Sequence, residues 1–160
     1  MTTTLAPEPT AAPAEVLEPP PEAPPDPSDL PALTSAEQAT PEAVAERFLV
    51  TYASFDPGAD PAGLDTRLAG LTTPELLEEL GRDSSASAAL DDLRRRKVTF
   101  AGQVVDLTVS ERSEARVSVA AAVEHTTAVD GVVEPDFRIA AYTLTLVPSG
   151  TGWLVAGLTQ

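Results

Sequence analysis

The sequence predicts an α+β protein in which N-terminal helices pack on a four-stranded antiparallel sheet, preceded by a disordered tail. Three observations lead to this fold class. Ten of the sixteen prolines lie in residues 1–40, and apolar residues recur at helical spacing between residues 41 and 95. From Val98 onward the apolar period changes to that of a strand. Because helices followed by sequential strands are typical of α+β folds, we expect a tail at 1–40 and a single domain at 41–160.

The tail carries seven acidic residues and neither a basic nor an aromatic side chain. Its prolines fix φ and remove backbone donors, so neither a helix nor a sheet can propagate there. The remaining apolar surface is too small to offset the entropy of ordering the chain. We interpret the tail as an extended spacer of polyproline II conformation. The alternative is a ligand for a proline-binding module, because Pro21-Glu22-Ala23-Pro24 has the PxxP spacing, although no flanking basic residue accompanies it.

Three predicted helices begin in the same way, with a polar N-cap residue before a proline at the first helical position. The three pairs are Thr40-Pro41, Asp60-Pro61 and Thr73-Pro74. The first helix is expected to span about 41 to 55, where one apolar stripe holds Val44, Phe48, Tyr52 and Phe55.

The remaining helical elements are expected to be shorter. The second helix has Leu64, Leu68 and Leu71 on one side, the third stops near Gly81, and a further helix covers 86–95. A basic run, Arg94-Arg95-Arg96-Lys97, follows directly. It is either an anion-binding patch or a set of cations that complements a helix C-terminus.

Four strands are expected after the basic run. The first reaches from Val98 to about 111, with a β-bulge near Gly102, because Val104 and Val105 interrupt the alternation. The second covers 115–127, with Val117, Val119, Ala121 and Val123 on one face. Val129-Asp130-Gly131 is expected at the centre of a wider connection to a third strand at 136–147. A hairpin then leads to a short final strand at 153–158.

Small residues lie near the middles of three of these strands: Ala120-Ala121-Ala122, Ala140-Ala141 and Ala156-Gly157. If the three groups align across the sheet, they form a band of low side-chain volume. Such a band could be the floor of a cavity, receive a helix of a partner, or accept one of the chain's own helices at close distance.

Residues 41–160 resemble the nuclear-transport-factor-2-like (cystatin-like) superfamily. The resemblance rests on the opening helix from Pro41 to Leu49, on the helix Thr73-Pro74-Glu75-Leu76-Leu77 after a short connector, and on the final strand Gly152-Trp153-Leu154-Val155. It implies a strongly bent, cone-like sheet around the N-terminal helices. Within the superfamily, the chain looks most like the extracytoplasmic domains of bacterial conjugal-transfer and type IV secretion assembly proteins. Those domains usually follow a membrane helix and a proline-rich linker, and no such helix precedes the linker here.

Enzymes of this superfamily place an Asp base and Tyr or Asp donors at the bottom of a conical pocket, where burial shifts the pKa values of these groups. Four residues of this sequence are candidates for lining such a pocket: Tyr52, His125, Tyr142 and Trp153. Each also has an ordinary structural interpretation, as part of an apolar stripe, a strand end or the core. Because the sequence contains no GxSxG, P-loop, HExxH or GxGxxG motif, we expect no enzyme and assign no catalytic residue.

Composition restricts the partners. The formal net charge of −15 repels phosphate backbones, so nucleic acids and anionic membrane surfaces are not expected as direct partners, whereas a cationic partner would be attracted. With no cysteine and one histidine, neither a disulfide nor a metal site is expected, and no cofactor is implied. No apolar segment long enough to span a membrane and no signal peptide is recognised.

These observations favour a non-enzymatic scaffold or accessory domain of a bacterial envelope or conjugation machine. Its expected partners are other proteins of such a machine, and a homo-oligomer is a further expectation. The tail would be its spacer. The envelope location requires an upstream anchor or signal, and the alternative location is the cytoplasm. A second hypothesis is a small-molecule-binding protein or an isomerase- or hydrolase-type enzyme that uses the cone-shaped pocket. A third, an inhibitor or immunity-type protein for a basic partner, rests on net charge alone.

Overall fold

The computed structural model describes residues 31–58, 62–83 and 87–160. It contains five helices in these ranges, followed by four strands. The helices are α1 (Ser35–Gln38), α2 (Pro41–Ala53), α3 (Ala62–Ala69), α4 (Pro74–Asp83) and α5 (Ser87–Arg95). The strands are β1 (Val98–Arg112), β2 (Val117–Val129), β3 (Val132–Ser149) and β4 (Gly152–Thr159). The predicted α+β class and the order of its elements are confirmed.

The sheet is an antiparallel meander in the order β1-β2-β3-β4, and it does not close into a barrel. The inward-facing residues predicted for β2, from Val117 to Val123, are buried. They meet Leu144 and Leu146 of β3 and the buried face of α2. One contiguous core therefore lies between the longest helix and the face of the sheet that this helix covers.

Helix α2 places Val44, Phe48 and Leu49 at the centre of this core, all at most 1% exposed. The helix ends at Ala53 rather than near residue 55, because Phe55 joins the sheet instead. The backbone of Phe55 exchanges two hydrogen bonds with that of Phe100 in β1, at 2.8 and 2.9 Å. The apolar stripe thus continues past the end of the helix to Phe55, which forms a β-bridge with Phe100. Apolar residues at helical spacing do not distinguish such a bridge from a further turn of helix.

The N-cap predictions have three different outcomes. The Thr73 hydroxyl accepts a hydrogen bond from the Leu76 amide at 3.4 Å, as expected of a cap. Thr40 occupies the N-cap position of α2, but its hydroxyl donates to Ala36 O of the preceding turn instead. Asp60-Pro61 lies outside the described residues. Helix α1, which the sequence analysis did not predict, has a capping box formed by Thr34 and Glu37.

Three predicted boundaries need adjustment. The helix predicted to stop near Gly81 is α4, which continues to Asp83. The bulge in β1 falls at Val105, where the pairing shifts between Val104 and Asp106. The connection after β2 is not wide, because Val129 pairs with Val132 and leaves the two-residue turn Asp130-Gly131. Both turn residues have positive φ, 51° and 81°, which is the geometry favoured by an Asp-Gly hairpin.

The side chains of the basic run at the end of α5 form ion pairs on the surface. Arg94, Arg95 and Arg96 lie within 4 Å of Asp91 or Asp92, and Lys97 pairs with Asp130 at 2.9 Å. The Arg94 side chain also donates to Pro57 O. These contacts favour the interpretation as helix-terminal cations over that as an anion-binding patch.

Candidate functional site

A cleft of about 410 Å³ lies on the face of the sheet that α2 covers, beyond the end of that helix. Its walls come from β1, β2 and β3, whose strands continue past the helix that covers the core. The side chains relevant to its chemistry are Phe100, His125, Thr127, Asp136, Arg138 and Tyr142. On β2 and β3, alternate residues face this side. The same alternation that buries Val123 under α2 therefore points His125 into the cleft two residues later.

His125 and Tyr142 are in contact within the cleft. The Tyr142 hydroxyl lies 3.1 Å from His125 Nε2, although His125 is paired with Arg138 on the neighbouring strand and Tyr142 with Ala121. Between them on β3 lies Ala140, whose small side chain leaves room for the two rings to lean toward each other. Their centroids are 5.9 Å apart.

The predicted alanine band is present on two strands only. Ala122 pairs with Ala141, and Ala140 pairs with Val123, so the alanines of β2 and β3 are adjacent. On β4, however, Gly157 pairs with Thr145, four positions away from Ala141, and does not extend the band. Ala121 is buried in the core, and Ala140 lines the cleft.

Two of the four sequence-predicted pocket residues, His125 and Tyr142, line this cleft, and a third, Tyr52, contacts Tyr142. The ring of Tyr52 meets the edge of Tyr142 with centroids 6.3 Å apart and stacks on Phe48 at 5.7 Å. Trp153 pairs with Pro148 at the far end of β3 and packs against the core, so the structure does not bring it to the other three. Phe100, Asp136 and Arg138 were missed. The strand period that placed His125 and Tyr142 on one face could also have placed Arg138 there.

The electrostatics of the cleft keep its two titratable hydrogen-bonding partners neutral at physiological pH. Burial lowers the pKa of His125, and the Arg138 charge lowers it further. Burial raises the pKa of Tyr142, with a smaller contribution from Tyr52. A neutral imidazole leaves one ring nitrogen without a proton, so the phenol donates to His125 when that nitrogen is Nε2.

This geometry favours binding over proton transfer. An effective general base is usually oriented by a third group, and in the described structure neither Glu134 nor Asp136 is hydrogen-bonded to the imidazole of His125. Among the described residues, no group of three or more His, Asp and Glu could hold a metal ion. What the cleft does offer is aromatic surface from Phe100, the guanidinium of Arg138, the carboxylates of Glu134 and Asp136, and neutral polar groups.

His125 makes the stability of the domain depend on pH as the pH falls through about 6.5 and below, because burial lowers its pKa in the folded state. The unfolded chain takes up a proton on this residue near its ordinary pKa of about 6.5, whereas the folded chain takes it up at lower pH. Below about 6.5 the unfolded state binds more protons, so the stabilising contribution present at higher pH is lost as the pH falls. Urea denaturation of the wild type and of His125→Gln across this range measures the effect. His125 is the single histidine of the chain, and the variant should show a flatter curve; parallel curves would contradict the assignment.

The fold is shared with proteins of known structure at low sequence identity. A periplasmic fragment of TraM matches with a TM-score of 0.60 and 12% identity, over 79% of this chain and 96% of that one. The VirB8 protein of Agrobacterium tumefaciens matches with a TM-score of 0.55 and 11% identity, over 81% of this chain and 94% of that one. TraE, solved in complex with 2-(2-furyl)isonicotinic acid, matches with a TM-score of 0.53 and 10% identity, over 72% and 90%.

These similarities confirm the expected fold, which this chain shares with TraM, TraE and VirB8. Identities this low establish the fold alone. No protein-family model matches the chain, and no curated protein sequence matches it significantly. None of the helices in the described part of the chain is long and apolar enough to cross a membrane.

Proposed function

We propose that this chain is a non-enzymatic scaffold or accessory interaction domain of a bacterial envelope machine of the conjugation or type IV secretion kind. The observation that supports it best is the shared fold, which extends over almost the whole of the periplasmic TraM fragment. The acidic, proline-rich residues 1–40 act as the spacer in this proposal, and residues 41–160 form the domain it carries. The location that suits this role is the cell envelope.

The cleft supports an interaction role rather than a chemical one. Its histidine is engaged with Tyr142, its carboxylates are not hydrogen-bonded to that histidine, and it is not fully enclosed. A reacting group needs convergent partners and the exclusion of water, whereas an open surface with aromatic and charged groups can recognise a polypeptide.

A second candidate function is the binding of a small molecule in the same cleft. The observation that favours it is the convergence of Tyr142, His125 and Arg138 beside the Phe100 ring. Binding of a small ligand there should perturb the NMR resonances of these side chains, and Tyr142→Phe should weaken it. A screen that yields ligands only at other surfaces would remove this candidate.

The scaffold function is tested in the native producing cell, with an affinity tag at the C-terminus. The tagged chain should sediment with the envelope, be digested by protease added to spheroplasts, and co-purify with other components of a transfer assembly. A tagged chain with Glu111→Lys, an exposed substitution on β1, is the control for a nonspecific effect of surface charge and should co-purify with the same components. A chain that is protected inside the cell and purifies without partners would contradict the proposal.

A further inference from the structure

The outer edge of β3 is unpaired over Phe137–Tyr142. Strand β4 accompanies β3 only from Ser149 to Thr143, where Thr143 pairs with Thr159. Beyond that point β3 continues toward the hairpin turn with β2 on one side only. Among the described helices and strands, β3 contacts β2, β4 and α2 and nothing else. Six residues, about 20 Å of strand, therefore present an edge without a neighbouring strand.

The other edges of the sheet are protected. The outer side of β4 is covered by the chain from Leu71 to Thr73, which exchanges backbone hydrogen bonds with Val155. The outer side of β1 is bridged by Phe55, and its register is interrupted by two bulges. Bulges and covering segments are the usual means by which proteins block edge-to-edge pairing. The pairing of β3 with β2 is continuous from Phe137 to Tyr142, and the register shift of this strand pair lies just beyond Phe137, between Thr126 and Ala128 of β2. The segment itself therefore keeps the regular spacing of backbone groups that an added strand requires.

Exposed apolar side chains are concentrated beside this edge. Of the five large exposed hydrophobic residues in the described part of the chain, four lie on β3: Val132, Val133, Phe137 and Ile139. Phe137 and Ile139 are 62% and 56% exposed. Ile139 alternates with Arg138 and Ala140 of the cleft and lies on the opposite face of the sheet, whereas Phe137 is itself one of the residues that line the cleft. A strand added here would find apolar contacts on both faces of the sheet.

The charges around the edge favour a cationic occupant. Glu134 and Asp136 lie in the cleft, where Arg138 is the one cationic side chain among the described lining residues. On the opposite face of the sheet, Glu124 is paired with Ile139. The whole chain carries a formal charge of −15, so a second copy brought to this edge would be repelled. An extended segment with basic residues would be attracted by the same field.

We propose that the Phe137–Tyr142 edge, with the cleft beside it, binds an extended segment of a partner protein as a fifth strand, and that this segment alternates apolar and basic residues. Backbone hydrogen bonds to the β3 edge provide the affinity, and side-chain contacts with Phe137, Ile139 and the cleft provide the selectivity. This inference specifies the kind of partner for the scaffold role proposed above. Its physical basis, however, lies in the edge itself and not in that role.

The test uses the full chain and a synthetic nine-residue peptide that alternates valine and lysine. We expect the peptide to shift the amide resonances of Phe137–Tyr142 and to bind more weakly as salt is raised. Two control peptides should bind at least about tenfold more weakly. One has glutamate in place of lysine, and the other has proline at the centre, which removes a backbone donor.

The matched protein variants are Ile139→Lys and Val105→Lys. Both replace exposed valine or isoleucine side chains on strands, but only the first lies at the proposed edge. Lysine on an edge strand opposes pairing, so Ile139→Lys should weaken peptide binding at least about tenfold while Val105→Lys leaves it unchanged. Thermal unfolding of both variants should match that of the wild type, which shows that folding is not the cause.

Three results would overturn the proposal: equal affinity for the lysine and glutamate peptides, shifts confined to other edges, and equal losses in the two variants. Sedimentation of the chain alone tests whether a second copy of the chain binds at this edge. A dimer abolished by Ile139→Lys would assign the edge to self-association and would also overturn the partner segment. These measurements use purified protein, so they test the binding edge independently of the cellular role. Peptide binding without co-purification in the cell would count against the scaffold function alone, and co-purification without peptide binding would count against the binding edge alone.

Discussion

Replacement of Phe48 by alanine is expected to lower the free energy of unfolding by about 3–5 kcal/mol, the largest effect of any single substitution considered for this chain. Phe48 is completely buried at the centre of α2 and stacks on Tyr52. Its removal leaves a cavity between the helix and the sheet, because the backbone elements on either side are held by their own hydrogen bonds and relax only in part. Urea denaturation with tryptophan fluorescence measures the loss.

Phe137→Ala is the matched control. It makes the same chemical change at a side chain that is 62% exposed, so the free energy of unfolding should change by no more than about 0.5 kcal/mol. Similar losses in the two variants would mean that α2 does not pack on the sheet through Phe48. The same variant also tests binding, since Phe137→Ala should weaken the binding of the peptide to the β3 edge without lowering the free energy of unfolding.

Gly102→Ala is expected to cost about 1–3 kcal/mol by overpacking, although alanine has a higher preference for ordered strands than glycine. A Cβ at this position would lie 2.2 Å from the Ala53 Cβ and 3.3 Å from the Ala53 backbone. The Gly102 amide also donates to the Ser54 hydroxyl at 3.0 Å, in a buried contact. This glycine therefore sets how closely the end of α2 approaches β1, and the added methyl group has to displace the helix end.

The double variant Gly102→Ala with Ala53→Gly tests the cause. It removes the colliding methyl group on the helix, so most of the loss should be recovered apart from about 1 kcal/mol for glycine near a helix end. Gly70→Ala is the control at a position where an added Cβ meets no atom within 4 Å. It should be neutral or slightly stabilising. If the double variant is as unstable as Gly102→Ala alone, the contact with Ala53 is not responsible.

The sequence predicted the main architecture because its apolar periods are strong. The change of period at Val98 marks the boundary between helices and strands, and the alternation from Val117 to Val123 identified the buried face of β2. Bulges are harder to place, since Val104 and Val105 reveal an extra residue but not which partner residue is skipped. The Asp130-Gly131 signal was present in the sequence, and its tight turn could have been predicted from the positive φ values that this pair tolerates.

The candidate site was less predictable, because it depends on which residues become neighbours across strands. The His125–Tyr142 contact requires both the register of β2 with β3 and the small side chain at Ala140 between the two rings. Neither residue type nor spacing along the chain contains that information. The unpaired edge of β3 was equally hidden, since it results from the difference in length between β3 and β4.

Strand β4 has a consequence for how the domain is completed. Three distant parts of the chain converge on it: its first residue Gly152 lies against the backbone of Gln38, Val155 is bonded to the segment around Thr72, and Leu158 pairs with Leu144. All of them precede β4 in the sequence, so their contacts with it form only once β4 has been synthesised. Because contacts between distant parts of a chain form slowly, the core remains open until β4 has paired with β3 and with the segment around Thr72. A chain interrupted before Gly152 would therefore expose the apolar face that β4 covers in the folded domain.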